Sequence, residues 1–232
     1  MLKLAFCLAL LSAGANAQAD TLRIGTTGDY QPVTWLNEET GTFEGLDIAL
    51  VEAFARDHGH EVTFVHTSWP ELMTDLNANL FDVAVGGISY TDTRAQQALV
   101  SDTIRTDGKV ALTRCGDEAR FDNLEKINRP TVRVVENPGG TNEKFARANT
   151  PAATLTVLGD NHAPFRALLA QEADVMFTDG IEAAYKEAQG QGLCAVKPDA
   201  PYTHIRKVFL FRQDATGLHA AFNNWLRARA DN

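Results

Sequence analysis

Three short segments of the chain carry residue types suited to gripping anions and moving protons. Gly86-Gly87-Ile88-Ser89-Tyr90-Thr91-Asp92-Thr93-Arg94 follows an apolar run with glycines, hydroxyls and an arginine. Backbone N–H groups and hydroxyls in such a turn suit an anion, and Arg94 can hold a carboxylate through two hydrogen bonds. Asn137-Pro138-Gly139-Gly140-Thr141-Asn142 sets two glycines and two amides ahead of a helix start, again suited to anions and hydroxyls. Thr178-Asp179-Gly180-Ile181-Glu182 places two carboxylates after an apolar strand. Taken singly, each segment also fits plainer roles: a helix cap beside a surface arginine, a turn, and an Asp cap with an acid in the first helical turn. Their shared position at the carboxyl ends of strands, in both halves of the chain, favours the chemical reading.

Other signatures are missing. There is no G-x-S-x-G, Walker A or H-E-x-x-H pattern. His58-Gly59-His60 fits a helix end with Gly59 as its C-cap better than a metal site, and the remaining histidines are scattered. The expectation is no metal and no cofactor.

The elements that must position these segments alternate. Strands are predicted at residues 21–25, 61–66, 81–88 and 109–114, with helices at 47–58 and 69–79 between them. A second cycle predicts strands at 131–135, 153–158 and 175–178 and helices at 142–149, 163–170 and 181–188. The chain closes with a strand at 207–211 and a helix at 217–229. Alternation of this kind means βαβ units, mostly parallel sheets flanked by helices, and ligands at the strand ends. The last strand and helix have no cycle of their own, so an α/β fold of two lobes is expected, with the chain crossing over and returning. The crossings are expected near Leu112 to Arg114 and near Arg206 to Phe209. That assigns residues 18–113 plus 206–232 to one lobe and 114–205 to the other, with the ligand cleft between them.

Composition bounds the function. The chain has 232 residues, 22% charged and 44% hydrophobic, an ordinary globular balance. Its net charge of -9 argues against nucleic-acid binding, which needs a basic footprint. Residues 1–17, MLKLAFCLALLSAGANA, combine Lys3, a short apolar run and an A-x-A site, the pattern of a secretory signal cleaved after Ala17. The expected location is the periplasm, without membrane insertion. Two cysteines remain, Cys115 and Cys194, and an even pair in an oxidising compartment predicts a disulfide rather than free thiols.

Exported, two-lobed and carboxylate-gripping, the chain resembles the periplasmic solute-binding proteins of the polar-amino-acid type. The phrases Phe43-Glu44-Gly45-Leu46-Asp47-Ile48 and Phe81-Asp82-Val83-Ala84-Val85-Gly86-Gly87-Ile88-Ser89 carry that likeness. A narrower likeness is more specific. Thr26-Thr27-Gly28-Asp29-Tyr30, Thr67-Ser68-Trp69-Pro70, Asp107-Gly108-Lys109, Thr178-Asp179, Ile181-Glu182-Ala183, Leu193-Cys194-Ala195-Val196 and above all the run from Asn137 to Asn149 resemble the cyclohexadienyl dehydratases. These enzymes share the type II periplasmic-binding-protein-like fold. They are carbon–oxygen lyases, converting prephenate to phenylpyruvate and arogenate to phenylalanine with loss of water and CO2.

The resemblance implies that Glu182 is the general acid. It implies that Tyr30, Trp69, Ser89, Arg94, Lys109, Asn137, Thr141, Asn142 and Asp179 line the substrate site. Arg94 and Ser89 would hold the side-chain carboxylate, Lys109 would balance the dianion, and Trp69 would wall the ring. In amino-acid binders the position of Asp179 grips the ligand's ammonium group, which would suit arogenate, whereas prephenate has no amine. The competing expectation is a non-catalytic amino-acid-binding protein delivering to an ABC permease, for which Glu182, Asn137 and Asn142 have no evident use. The sequence leaves open whether the chain forms a homo-oligomer.

Overall fold

The computed structural model describes residues 20–230. The leader expected at residues 1–17 lies outside the described residues. Strand Thr21–Thr26 alternates apolar and polar residues and pairs in parallel with Glu61–His66 and with Val83–Ala84. Leu210–Phe211 adds to Val83–Ala84 in the opposite sense and is followed by Leu99–Val100, giving a five-stranded sheet. Helix Leu46–Asp57 buries Ile48, Val51, Phe54 and Ala55 against this sheet. The last helix, Thr216–Ala230, brings Phe222 into the same core, edge-on to Phe54 at 5.2 Å between ring centres. The chain's end thus completes the lobe that its start began, as a returning strand requires.

The second lobe has a different centre. Met176–Asp179, helix Gly180–Ala188 and Leu193–Val196 form a β-α-β unit whose strands lie one strand-width apart. Lys109–Arg114 fills that gap and runs antiparallel to both neighbours. Arg133–Glu136 and Thr154–Val157 form a parallel pair, joined to the rest through the Val134–Val175 bridge. The expectation of mostly parallel sheets therefore holds for three strands of the first lobe and this pair, while the middle of the second lobe is antiparallel. Its central strand arrives by crossing from the other lobe, not through a helical connection.

This pairing also bears on the first crossing. Lys109–Arg114 lies wholly in the second lobe, with Val110 and Leu112 in its core. Arg105–Asp107, just before it, pairs with the returning strand Ile205–Lys207. On this pairing we propose the lobe boundary near residue 107 rather than 113.

Three local differences shape the cleft. The helix expected at 69–79 begins at Leu72, because Ser68 to Glu71 form a turn that leaves Trp69 outside the helix. The strand expected at 81–88 is paired only at Val83–Ala84, since Gly86 and Gly87 take φ of 112° and 72°. A short meander, Asp29–Tyr30, Thr34–Asn37 and Thr42–Glu44, was not expected and carries Tyr30 to the cleft. Cys115 and Cys194 form a disulfide at the edge of the second-lobe sheet.

Candidate active site

A narrow cleft separates the two lobes. Tyr30, Trp69, Ser89 and Arg94 line it from the first lobe, and Asn137, Thr141, Asn142, Asp179 and Glu182 from the second. Lys109, the remaining residue expected here, lies one bond behind the wall, with Nζ 2.7 Å from Asp179 Oδ1. The inner pocket has a volume of about 20 Å³, room for roughly one water molecule. Beside it lies a vestibule of about 760 Å³ that shares Trp69, Asn137 and Asn161 with it. Several contacts link the lobes across it. The Tyr30 hydroxyl donates to Asp179 at 2.8 Å, the Asn161 amide donates to the Asp29 carbonyl at 2.8 Å, and Ser89 Oγ meets Thr141 Oγ1 at 3.5 Å.

Glu182 sits in the first turn of helix Gly180–Ala188 and is 1% exposed. That helix start is capped by Asp107, whose two oxygens accept from the amides of Gly180 at 3.0 Å and Ile181 at 3.2 Å. The capping role foreseen for Asp179 therefore belongs to Asp107, and Asp179 is left to face the cleft. The Thr178 hydroxyl donates to Glu182 Oε2. Oε1 has no protein partner among the described residues. Burial pushes the Glu182 carboxyl up to about 8; the Thr178 hydrogen bond and the charge of Lys186 oppose the shift, and nearby Asp179 adds to it. At neutral pH Glu182 is a buried acid that holds its proton.

Asp179 is its opposite. Burial alone would raise its pKa, but the charges and hydrogen bonds of Lys109 and Lys207 outweigh burial and hold the carboxyl far below the usual range. Lys207 Nζ donates to Asp179 Oδ2 at 2.5 Å and to Ser89 Oγ at 2.8 Å. Two carboxyl groups three residues apart are thus pushed in opposite directions, Glu182 toward its neutral form and Asp179 toward its anion.

Arg94 is buried and donates from Nη1 to the Ser89 carbonyl at 2.8 Å. Burial lowers its pKa to about 10, so it keeps its charge. The glycine turn differs in one respect from the sequence reading. The amides of Gly86 and Gly87 donate to the buried Asp47 carboxylate at 3.3 and 2.7 Å, so they brace the turn and do not face a ligand. Trp69 presents its ring to the cleft, with Nε1 donating to Asp29 at 3.2 Å. Asn142 accepts from Lys109 Nζ and donates to Asn137 Oδ1 at 3.4 Å.

Sequence reasoning missed Lys207 and Asn161. The strand expected at 207–211 divides into Ile205–Lys207 and Leu210–Phe211, and the signal in the sequence was a lysine at the head of the apolar run Val208 to Phe211, which needs a buried acid. Cys115, Glu118 and Cys194 lie within 4.8 Å of one another, but both sulfurs are joined in the disulfide and offer no thiolate to a metal. His58 packs on Phe54 at 4.4 Å between ring centres, and its Nδ1 is 3.0 Å from the Phe54 carbonyl. No helix among the described residues is long and apolar enough to cross a membrane.

Two α/β lobes joined by a paired crossover, with a buried arginine lining the cleft between them, define the solute-binding class. Residues 22–232 match the bacterial extracellular solute-binding proteins, family 3, and the chain belongs to that family. Within it, the chain is 42% identical over 218 residues to the cyclohexadienyl dehydratase of Pseudomonas aeruginosa, covering 90% of this chain and 81% of that one. Among solved structures it resembles the ancestral amino acid-binding protein AncCDT-1, a precursor of cyclohexadienyl dehydratase. That match has 30% identity and a TM-score of 0.85, over 91% of this chain and 90% of that one. It also resembles a point variant of an ancestral cyclohexadienyl dehydratase, AncCDT-3, with 43% identity and a TM-score of 0.53 over 91% and 87%.

Proposed function

We propose that the chain is a periplasmic cyclohexadienyl dehydratase. It carries out the decarboxylative dehydration of prephenate to phenylpyruvate, and of arogenate to phenylalanine, with Glu182 as general acid. The single observation that carries this reading is the placement of Glu182: it is buried at the cleft, where burial pushes its carboxyl up to about 8, and one of its oxygens has no protein partner among the described residues. A transport protein gains nothing from a neutral acid held in this way, whereas a leaving hydroxyl needs one. The 42% identity to the Pseudomonas aeruginosa dehydratase supports the same reading.

The chemistry balances with this one acid. The bond from the ring to its carboxylate breaks and CO2 departs. Its electron pair moves through the ring and expels the hydroxyl at the opposite carbon. Glu182 gives that hydroxyl its proton, so the leaving group is water, and the carboxylate regains a proton from solvent after product leaves. The substrate supplies the electrons, so no external base is required. Proton donation of this kind contributes roughly 10²–10⁴-fold.

The remaining residues bind and orient. Arg94, beside Ser89, receives the side-chain carboxylate, Trp69 covers one ring face, and Asn137 and Asn142 orient the polar groups on the ring. A pocket of about 20 Å³ is too small for such a substrate, so the lobes part for entry and close for reaction. The test is direct. Purified protein is mixed with prephenate and phenylpyruvate formation is followed by ultraviolet absorbance. Turnover supports the proposal; no turnover together with tight amino-acid binding by calorimetry supports the transport reading.

A further inference from the structure

The cleft holds a second constraint, which lies in the partners of Asp179. A carboxylate offers about four acceptor positions. Lys109 Nζ takes one on Oδ1 at 2.7 Å, and Lys207 Nζ and the Tyr30 hydroxyl take two on Oδ2 at 2.5 and 2.8 Å. Both lysines are 1% exposed, and Asp179 is 5% exposed. A ligand ammonium approaching this carboxylate would meet two protein ammonium groups already seated on it, in a site with little water to screen them.

The arrangement around Lys207 is fixed from both lobes. Lys207 belongs to the crossover strand Ile205–Lys207 and bridges to Ser89. Its Nζ joins Ser89 Oγ of the first lobe to Asp179 of the second. Arg94 in turn donates to the Ser89 carbonyl. A substrate whose side-chain carboxylate lies on Arg94 therefore puts its next carbon beside Ser89, Lys207 and Asp179. In prephenate that carbon bears a keto oxygen, an acceptor suited to hydroxyl and ammonium donors. In arogenate it bears an ammonium, a donor with a positive charge.

Charge counting points the same way. Arg94, Lys109 and Lys207 oppose the single anion Asp179 at the wall. Asp107 is bonded to the amides of Gly180 and Ile181, and Asp29 lies behind the Trp69 indole. Three cations gathered around the one carboxylate that faces them suit prephenate, which carries two carboxylates and no cation, better than a ligand that brings an ammonium of its own.

We propose that Lys207, by occupying Asp179 together with Lys109, selects α-keto-acid substrates over their α-ammonium counterparts, so that prephenate is processed in preference to arogenate. This rests on the dehydratase reading and names which of its two substrates the site takes. Rejection works through like-charge juxtaposition, a repulsive element of the kind that suppresses wrong partners.

The experiment compares kcat/KM for prephenate and arogenate in the wild type and in Lys207→Met, which keeps the length of the side chain and leaves Asp179 paired with Lys109 and Tyr30. The wild type is expected to favour prephenate by at least about tenfold, and the variant to lose at least about tenfold of that ratio, chiefly through KM. A wild type that processes arogenate as well as prephenate, or an unchanged ratio in a folded variant, overturns the proposal. A second measurement on the unmodified protein stands apart from turnover and from the variant's folding: calorimetric titration with phenylpyruvate and with L-phenylalanine. Tighter binding of the keto acid supports the selection even if neither substrate is processed, in which case only the dehydratase reading fails. Tighter binding of the amino acid overturns it.

Discussion

The Thr178 hydroxyl, near the end of a strand, reaches forward to Glu182 in the first turn of the following helix and donates to one of its two carboxyl oxygens. The pair divides the carboxyl into a held oxygen and a free one. Glu182→Gln keeps the shape and removes the transferable proton. Its kcat is expected to fall by roughly 10²–10⁴-fold with KM changed only a few-fold, measured by steady-state absorbance. A loss confined to KM would instead make Glu182 a binding residue.

Thr178 acts through Glu182. Its hydrogen bond favours the charged form and lowers the carboxyl's pKa against the larger effect of burial. Thr178→Val is therefore expected to move the alkaline limb of the kcat profile to higher pH while reducing kcat by about tenfold, through looser positioning of the acid. A purely structural role would lower activity evenly, without that shift.

The pH dependence of both rate and stability follows from the Glu182 value of about 8. The rate is expected to hold through neutrality and fall as Glu182 loses its proton near that pH. For stability, the folded-state pKa lies above the ordinary 4.5, so between these values the unfolded chain binds fewer protons than the folded one. The contribution is fully present below about 4.5 and lost as pH rises through about 8. Thermal melts should show Glu182→Gln more stable than wild type at mildly alkaline pH, with the gap closing toward acid. Asp179 behaves oppositely. Its pKa is depressed, so its contribution is present above the ordinary 3.8 and is lost only in strong acid.

Arg94 is the expected grip on the side-chain carboxylate. Hydrogen bonds to charged groups contribute about 1.5–3 kcal/mol, so Arg94→Lys, which loses the two-pronged geometry, should raise KM by roughly 10- to 100-fold. The fold should be little altered, because the Ser89 carbonyl still meets a cationic donor and the backbone amide at this position keeps its bond to the Thr91 hydroxyl. Circular dichroism checks the fold and initial rates check KM.

The disulfide closes a separation of 79 residues within the second lobe. In the chain-entropy account a loop of this length contributes on the order of 4 kcal/mol. Replacing both Cys115 and Cys194 by Ser should lower the melting temperature by several degrees, and reductant should lower the wild type to match.

Much of the cleft was legible because its residues end strands. Asn137 and Asp179 each close an apolar run, which marks where a buried strand surfaces, and Arg94 lies in the short helix Asp92–Ala95 beyond the Gly86-Gly87 turn. The parts that were not legible depend on long-range pairing. Lys207 gains its role only once the return strand meets Arg105–Asp107 and brings it between Ser89 and Asp179. Asp47 and Asp107 looked like ordinary acids in the sequence, yet one braces the Gly86-Gly87 turn and the other caps the helix bearing Glu182. The meander around Tyr30 has strands of two to four residues, too short to show a period. Lys109–Arg114 has the composition of any buried strand, and nothing local in the sequence tells which lobe's sheet receives it.

The central claim is that the side chain at position 182 remains a neutral acid when the cleft is occupied. Infrared difference spectroscopy with phenylpyruvate bound, comparing wild type with Glu182→Gln at neutral pH, tests it most directly. The account predicts a carboxylic-acid carbonyl band in the wild type that is missing from the variant. A wild-type spectrum showing only carboxylate bands at that position would contradict it.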